Sequence, residues 1–341
     1  MGISWENRYI ETTAPERQQF YWVGLFYFFA KTCIDDYGEK GERVIRQAVR
    51  NYGTERGQRM RRIADANGWP IDLVTLFSHG DLIGDPRFEH DDGVKVLTPE
   101  VKHSHTTRCP NAEIWASLED KNLGEPLRYG SIYCEEVHHC LYGRFDPAVQ
   151  VNLCETLTNG GDHCHFYIHC RKANQKPYPL SPYEEKDWED YGRDCAASIN
   201  TMFGLLYYHM ASLIREELGE ETLRKGLRAW ANCRGERLRE LDRREGKASG
   251  VDRLIRDGDI FLDFRFQKED EVLTPGEGKL TVRRCVLAQV WRDHQAEDLG
   301  RIFCEEVYRG ICETYDPSIQ VEIPQTLAEG CSCCRIHLTK T

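Results

Sequence analysis

The chain has 341 residues, enough for one large domain or two of ordinary size, and 40% of them are hydrophobic, which is typical of a folded protein. Acidic residues outnumber basic ones by 56 − 45 = 11, and this net charge of −11 argues against a nucleic-acid partner. The most apolar runs, 20–30 and 202–214, are shorter than the roughly 18 to 20 residues that span a bilayer, which argues against a membrane partner.

Cysteine usage favours a reducing compartment. The chain contains 15 cysteines, an odd number, and its polar first residues lack the apolar stretch of a signal peptide. We therefore expect a cytoplasmic protein whose thiols are core residues, metal ligands or nucleophiles rather than disulfides.

The hydrophobic pattern predicts helices first and strands later. Residues 21–37 and 42–67 have helical spacing, 94–97 and 103–109 alternate like strands, and 130–141 is again helical. Segments 148–157 and 160–170 then predict a hairpin. The same order is predicted in the second half, over 198–218, 220–244, 271–273, 279–285, 300–311 and the segments matching the hairpin. Each unit is thus expected to be α+β, with N-terminal helices followed by a β-α-β-β segment.

The second half of the chain repeats the first. The stretch GSIYCEEV at 130–137 recurs as GRIFCEEV at 300–307, and this offset of 170 persists without a gap to Cys164 and Cys334. Upstream, VLTP at 96–99 recurs at 272–275. The prediction is an N-terminal extension (1–17), repeat one (18–170), a linker (171–194) and repeat two (195–341), a tandem duplication related by a pseudo-twofold axis. Self-association of the whole chain stays open.

Three cysteines occupy matching places in the two repeats, on a predicted strand, a helix and a strand. They would converge only if the helix packs on the sheet. Three thiolates with one further ligand would hold zinc or iron, a single thiol beside an acid would be a nucleophile, and plain core packing is the third interpretation. The six residues are Cys109, Cys134 and Cys164 in repeat one, and Cys285, Cys304 and Cys334 in repeat two.

Acids and histidines offer further candidates. Glu136 and Glu306 follow the helical cysteine by two residues, and each is either part of a solvated face or a general base. Seven of the twelve histidines lie between residues 103 and 169, which favours repeat one for metal or acid–base chemistry. His163 aligns with Cys333, and both side chains can bind a soft metal, although alternating strand histidines also suit a solvated face.

Several of these motifs together resemble the L-2-amino-thiazoline-4-carboxylic acid hydrolase family. They are YCEE at 133–136 and FCEE at 303–306, an Asp-Pro pair at 146–147 and 316–317, and Gly-x-x-x-Cys at 160–164 and 330–334. The resemblance covers nearly the whole chain, which is similar to two fused members. Glu136 and Glu306 stand where the family commonly has Asp.

The resemblance implies a hydrolase that opens a small cyclic C=N ring, breaking a carbon–nitrogen or carbon–sulfur bond, with a small molecule as the partner. Either Cys134 or Cys164 adds as a thiolate while Glu136 or His163 manages protons, or the three cysteines of a repeat hold zinc or iron that activates water. Cys304 and Glu306 are the repeat-two counterparts. The element order is also similar to the ligand-binding domain associated with 4-vinyl reductases, which implies a non-catalytic binding or sensor protein for a small molecule or a haem-like cofactor as the alternative.

Overall fold

A computed structural model describes residues 14–81, 88–91, 93, 95–171, 195–256 and 267–341. Residues 1–13 of the predicted extension and 172–194 of the predicted linker lie outside the described residues. Within the described ranges, both halves have three helices, a group of strands, two helices and two further strands, and the group of strands has three members in the first half and two in the second.

The first half contains the following elements. They are α1 (Ala14–Tyr37), α2 (Glu39–Ala66), α3 (Leu73–His79), β1 (Glu89–His90), β2 (Val96–Leu97), β3 (Val101–Arg108), α4 (Pro110–Glu119), α5 (Gly130–Phe145), β4 (Val149–Leu153) and β5 (Cys164–Cys170).

The second half follows the same plan. Its elements are α6 (Cys195–Leu218), α7 (Glu220–Glu245), α8 (Val251–Arg256), β6 (Gln267–Leu273), β7 (Glu277–Arg284), α9 (Val286–Asp293), α10 (Glu297–Tyr315), β8 (Ile319–Gln325) and β9 (Cys334–Lys340).

Each half forms its own antiparallel sheet. In the first, the strand order is β1-β3-β5-β4, with β2 also paired to β3; in the second it is β6-β7-β9-β8. Three neighbouring strands therefore have one topology in both halves, because β3-β5-β4 corresponds to β7-β9-β8. The predicted α+β class, duplicated along the chain, is confirmed.

The helix that carries the YCEE or FCEE motif is fixed by close approaches at glycines. At Gly57 in α2, a Cβ would lie 2.1 Å from the carbonyl oxygen of Leu141 in α5, and at Gly235 in α7 it would lie 2.4 Å from that of Ile311 in α10. Only glycine allows the paired helices to cross so closely. The two crossings set where the cysteine and the acids of each motif stand.

The inner face of the first sheet packs against α5. Leu141 and Tyr142 of α5 share one hydrophobic core with Val149 of β4 and Ile168 of β5. Because side chains alternate along a strand, the inner face carries Lys102, Ser104, Cys164, Phe166 and Ile168. The outer face carries the intervening residues, and among them are His103, His105, His165 and Tyr167.

The compact units do not coincide with the sequence repeats. One unit comprises residues 42–186, and the other comprises 1–41 together with 187–341. Helix α1, from the first repeat of the sequence, therefore packs with α6 and α7 of the second: the Tyr21 ring lies 6.2 Å from that of Phe203, and the Arg234 guanidinium lies 4.0 Å from the centre of the Tyr21 ring.

Several element limits differ from the sequence prediction. Strands β3 and β7 end at Arg108 and Arg284, so the prediction of strands through Cys109 and Cys285 is wrong at its last residue. Each cysteine instead precedes a short helix, α4 or α9, that the periodicity did not predict. The predicted end of α1 is confirmed at Gly38, whose φ of 57° is in the left-handed region.

Candidate functional site

The aligned cysteines of each repeat lie in one region, around the helix that carries the YCEE or FCEE motif. Burial raises the pKa of the Cys134 thiol well above its usual range, and charges on Cys164 and Cys109 raise it further. Cys304 is affected in the same way by burial and then by its own two partners. The sulfurs of each repeat are therefore close enough to affect one another electrostatically. We call these groups the repeat-one cysteines (Cys109, Cys134, Cys164) and the repeat-two cysteines (Cys285, Cys304, Cys334).

The repeat-one cysteines are thiols at neutral pH. Burial raises the pKa of Cys109 to about 12 and also raises that of Cys164. The Leu157 amide donates a hydrogen bond to the Cys164 sulfur over 3.4 Å, which partly offsets the burial. A thiolate nucleophile at these positions would therefore need a base that removes its proton.

In each repeat, the three cysteine sulfurs lie farther apart than the ligand atoms of a metal site do. Among the described residues, two groups of three His, Cys, Asp or Glu residues have ligand atoms that all lie within 4.8 Å of one another, and neither group contains a cysteine. Zinc or iron bound by repeat-one or repeat-two cysteines thus stays a prediction, which requires the sulfurs to move closer when metal binds.

Glu136 is part of an ion-pair network between α5 and α2. Arg46 Nη1 donates to its Oε1 over 2.9 Å and to Glu135 over 2.6 Å, while Arg50 donates to both oxygens of Glu136 over 2.6 and 3.0 Å. The Glu136 side chain is 7% exposed and that of Glu135 is 36% exposed. Of the two acids, Glu136 therefore faces inward.

The same network recurs in repeat two. Arg224 and Arg228 of α7 donate to Glu306 of α10 over distances from 2.6 to 3.0 Å. Two guanidinium groups occupy the oxygens of each inward carboxylate, and this arrangement fastens one helix to the other. The geometry favours positioning of the helix over proton transfer, so general-base catalysis by Glu136 or Glu306 remains a prediction.

A polar cluster that the motif search missed lies on the inner face of the first sheet. Lys102 Nζ donates to Ser104 Oγ over 2.6 Å and lies 4.7 and 5.3 Å from the ring centres of Phe77 and Phe166. The His138 ring of α5 lies 5.1 Å from that of Phe166. We call Lys102, Ser104, His138, Phe77, Phe166 and Tyr142 the inner-face cluster.

Burial shifts the charge states in the inner-face cluster. It lowers the pKa of Lys102 to about 8, with a smaller effect from Lys95. It lowers the pKa of His138 to about 3, and positive charges on Arg56, His139 and Lys102 act in the same direction. At neutral pH the cluster therefore holds a charged ammonium beside an uncharged imidazole, and strongly perturbed groups of this kind mark candidate active sites.

Repeat two lacks these polar groups. The offsets of 176 and 170 place Gly278 and Leu280 where repeat one has Lys102 and Ser104, and Tyr308 where it has His138. The strand register agrees, because Ser104 pairs with Phe166 and Leu280 pairs with Ile336. The lysine, serine and histidine of the inner-face cluster thus belong to repeat one, and repeat two has the Tyr308 phenol in place of His138.

The structure does not bring His163 to the cysteines. His163 precedes Cys164, and successive residues on a strand point to opposite faces. The His163 ring lies 4.2 Å from that of His105 on the outer face, and its Nδ1 contacts Asp162. Cys164 instead packs with Ala112 and Leu157.

A signal for the inner-face cluster was present in the sequence. Lys102 and Ser104 alternate along a strand whose counterpart has Gly278 and Leu280, so comparison of the repeats by strand face would have marked both positions.

Within the described ranges, none of the helices has the length and apolar character needed to cross a membrane.

Comparison with known proteins gives one match. The family model described as L-2-amino-thiazoline-4-carboxylic acid hydrolase matches residues 21–168 and again 196–338. Neither the curated proteins nor the solved structures contain a match. The two matched regions cover most of the sequence and fall on its two repeats, one family unit on each. The chain therefore belongs to the L-2-amino-thiazoline-4-carboxylic acid hydrolase family and holds two copies of the family unit.

Proposed function

We propose that repeat one hydrolyses a small cyclic C=N compound that carries a carboxylate, at the inner-face cluster and the adjoining repeat-one cysteines. One observation carries this proposal: repeat one has a charged ammonium at Lys102 and an uncharged imidazole at His138, one helical turn after Cys134, while repeat two has Gly278, Leu280 and Tyr308 at the positions of Lys102, Ser104 and His138. The family name, which denotes hydrolysis of a thiazoline carboxylic acid, agrees with this class of substrate.

Lys102 is the group that would bind the carboxylate. Its ammonium is charged at neutral pH and is fixed by Ser104, with the Phe77 and Phe166 rings beside it. Aromatic neighbours exclude water and strengthen an ammonium–carboxylate pair relative to one in bulk solvent. A planar five-membered ring would extend from the carboxylate along these rings.

His138 is the group that would accept a proton. It lies one helical turn after Cys134 on α5, so the two side chains share a helix face. Carboxylate binding at Lys102 would offset one of the positive charges that lower the pKa of His138, and the imidazole would become a stronger base.

Ring opening would then follow in two stages. Water adds to the C=N carbon, the π electrons move to the ring nitrogen, and His138 takes a proton from the water and passes it to that nitrogen, which gives a neutral tetrahedral centre. The centre collapses when the added hydroxyl gives its proton to His138 and becomes C=O. The bond to the ring heteroatom then breaks, and the heteroatom leaves with the proton from His138. Because the Cys134 thiol is protonated, water activated by His138 is the simpler nucleophile; if Cys134 attacks, His138 first removes its proton and water later releases the product.

A metal on the repeat-one cysteines is the other route, and metal analysis separates it from the first. Zinc or iron would supply an activated water there. Protein stripped of metal with a chelator should remain active if His138 and water suffice. Stoichiometric metal that is needed for activity would support the metal route.

Matched variants in the two repeats test the proposal. With 2-aminothiazoline-4-carboxylic acid as substrate, His138→Ala should lower kcat by at least about 100-fold, as for removal of a general base. Tyr308→Phe, at the equivalent position, should leave kcat within about twofold. Equal activities of wild type and His138→Ala would refute the assignment. Binding of the acid without turnover by the wild type would favour the non-catalytic binding protein instead.

A further inference from the structure

The outer face of the first sheet brings three imidazoles together. His105 on β3 pairs in register with His165 on β5, and His103 lies two residues before His105 on the same face. His103 Nε2 and His165 Nε2 are 2.9 Å apart. One ring nitrogen from each of the three residues lies within 4.8 Å of the other two.

The hydrogen bonding of the three rings is incomplete. His105 Nε2 is buried and has no hydrogen-bond partner. Between His103 and His165 the two facing nitrogens have room for one shared proton. A buried imidazole nitrogen without a partner is a costly arrangement in a folded protein, and a bound cation would relieve it.

A second donor group adjoins the three rings. The His163 ring lies 4.2 Å from that of His105, and its Nδ1 contacts the Asp162 carboxylate. Ligand atoms of His163, Asp162 and Glu155 also lie within 4.8 Å of one another. A carboxylate that orients an imidazole is the usual companion of histidine metal ligands.

We propose that His103, His105 and His165 form a binding site for a divalent transition metal of the zinc class, with His163 or water in the fourth position. Imidazole nitrogen is the donor that Zn²⁺, Co²⁺, Ni²⁺ and Cu²⁺ share. A zinc–nitrogen distance of about 2.0–2.1 Å in tetrahedral geometry separates ligand nitrogens by about 3.4 Å. The three nitrogens therefore need to move by no more than about 1.4 Å relative to one another.

Repeat two provides the contrast. At the positions that correspond to His103, His105 and His165 it has Lys279, Thr281 and Arg335, which cannot form this site. The site is thus expected once per chain. It lies on the opposite face of the sheet from the inner-face cluster, and it does not depend on the proposed hydrolysis.

Titration of chelator-stripped full-length protein with Zn²⁺ tests the proposal. Competition with a chromogenic chelator should give one site per chain. His105→Gln should weaken zinc affinity by at least about 100-fold, since loss of a ligand exceeds the 10–100-fold effect of removing a supporting group. His169→Gln is the matched control, because His169 lies on the same face of the sheet, on the strand of His165, but outside the group of three. The zinc affinity of this variant should stay within about twofold of the wild type.

Co²⁺ substitution identifies the donor atoms even if a variant folds poorly. Nitrogen ligands give d–d bands alone, whereas thiolate ligands add intense charge-transfer bands in the near ultraviolet. The proposal expects d–d bands that His103→Gln and His105→Gln abolish. It is overturned by zinc stoichiometry near zero, by unchanged affinity in His105→Gln, or by thiolate bands that Cys134→Ala removes.

Discussion

The Lys102 ammonium should make ligand binding to repeat one depend on pH near its own pKa. Burial lowers that pKa to about 8, so about 90% of the lysine is charged at pH 7 and about 10% at pH 9. A carboxylate that binds the charged form should therefore lose about tenfold in affinity between these pH values. The affinity falls with rising pH because Lys102 then loses its proton and its positive charge.

Two substitutions separate charge from shape at this position. Lys102→Arg keeps a group that stays charged throughout this range, so its affinity should not vary with pH. Lys102→Met removes the charge and should weaken binding at pH 7 by about 30-fold, the equivalent of about 2 kcal/mol for one charge-assisted hydrogen bond.

Calorimetric titration with thiazole-4-carboxylate measures the effect without turnover. The charge of this ligand is constant between pH 6.5 and 9, so any change in Kd reports on the protein. A wild-type Kd that changes by less than twofold between pH 7 and 9, or an equal fall in affinity for Lys102→Arg, would refute the assignment of Lys102 as the carboxylate-binding group.

Three further predictions concern stability. Glu136→Gln and Glu306→Gln each remove a buried carboxylate that two arginines share, and each should lower the free energy of unfolding by about 2 kcal/mol in urea titrations, since the arginines remain partly exposed to water. A loss below about 0.5 kcal/mol in both would contradict the role of these ion pairs. Gly57→Ala places a Cβ 2.1 Å from a backbone oxygen and should lower the free energy of unfolding by at least about 2 kcal/mol in thermal melts. At Gly276 a Cβ meets nothing within 4 Å, so Gly276→Ala should change the free energy of unfolding by less than about 0.5 kcal/mol. Equal effects of the two substitutions would exclude the close approach as the cause. Burial raises the pKa of Asp316, but hydrogen bonds from two serines and a lysine outweigh it and lower the pKa below its usual range. The ionised carboxylate therefore stabilises the folded state above about pH 4, and this contribution is lost as the pH falls further. The stability difference between wild type and Asp316→Asn should accordingly shrink between pH 5 and 3, and a constant difference would argue against these hydrogen bonds.

Local sequence signals were enough for the duplication and most helices. Helix α1 ends where Gly38 follows it, and α6 ends before Gly219, because both glycines have a positive φ that glycine adopts without strain. The chain turns at Asp146-Pro147 through a local contact as well, because the Val149 amide donates to the Asp146 carbonyl oxygen over 2.8 Å. These features depend on neighbours in the sequence.

The partners of the candidate site residues depend on distant segments. Arg50 and Glu136 are 86 residues apart in the chain, and their pairing follows from the α2–α5 crossing, which the sequence pattern does not specify. The inward direction of Lys102 likewise depends on which face of β3 meets α5. Residue types at a site could thus be proposed from the sequence, while the groups that fix their charge state required the packing of helices on the sheet.

The position of α1 has a consequence for any attempt to divide the protein. Phe29 of α1 lies against Gly226 of α7, where a Cβ would come within 2.5 Å of its ring, and Tyr21 contacts both Phe203 and Trp230. A fragment that starts at residue 195 would expose these apolar surfaces to water and would tend to aggregate. The second family unit is complete only when the opening helix of the polypeptide is supplied, either by the same chain or as a separate peptide.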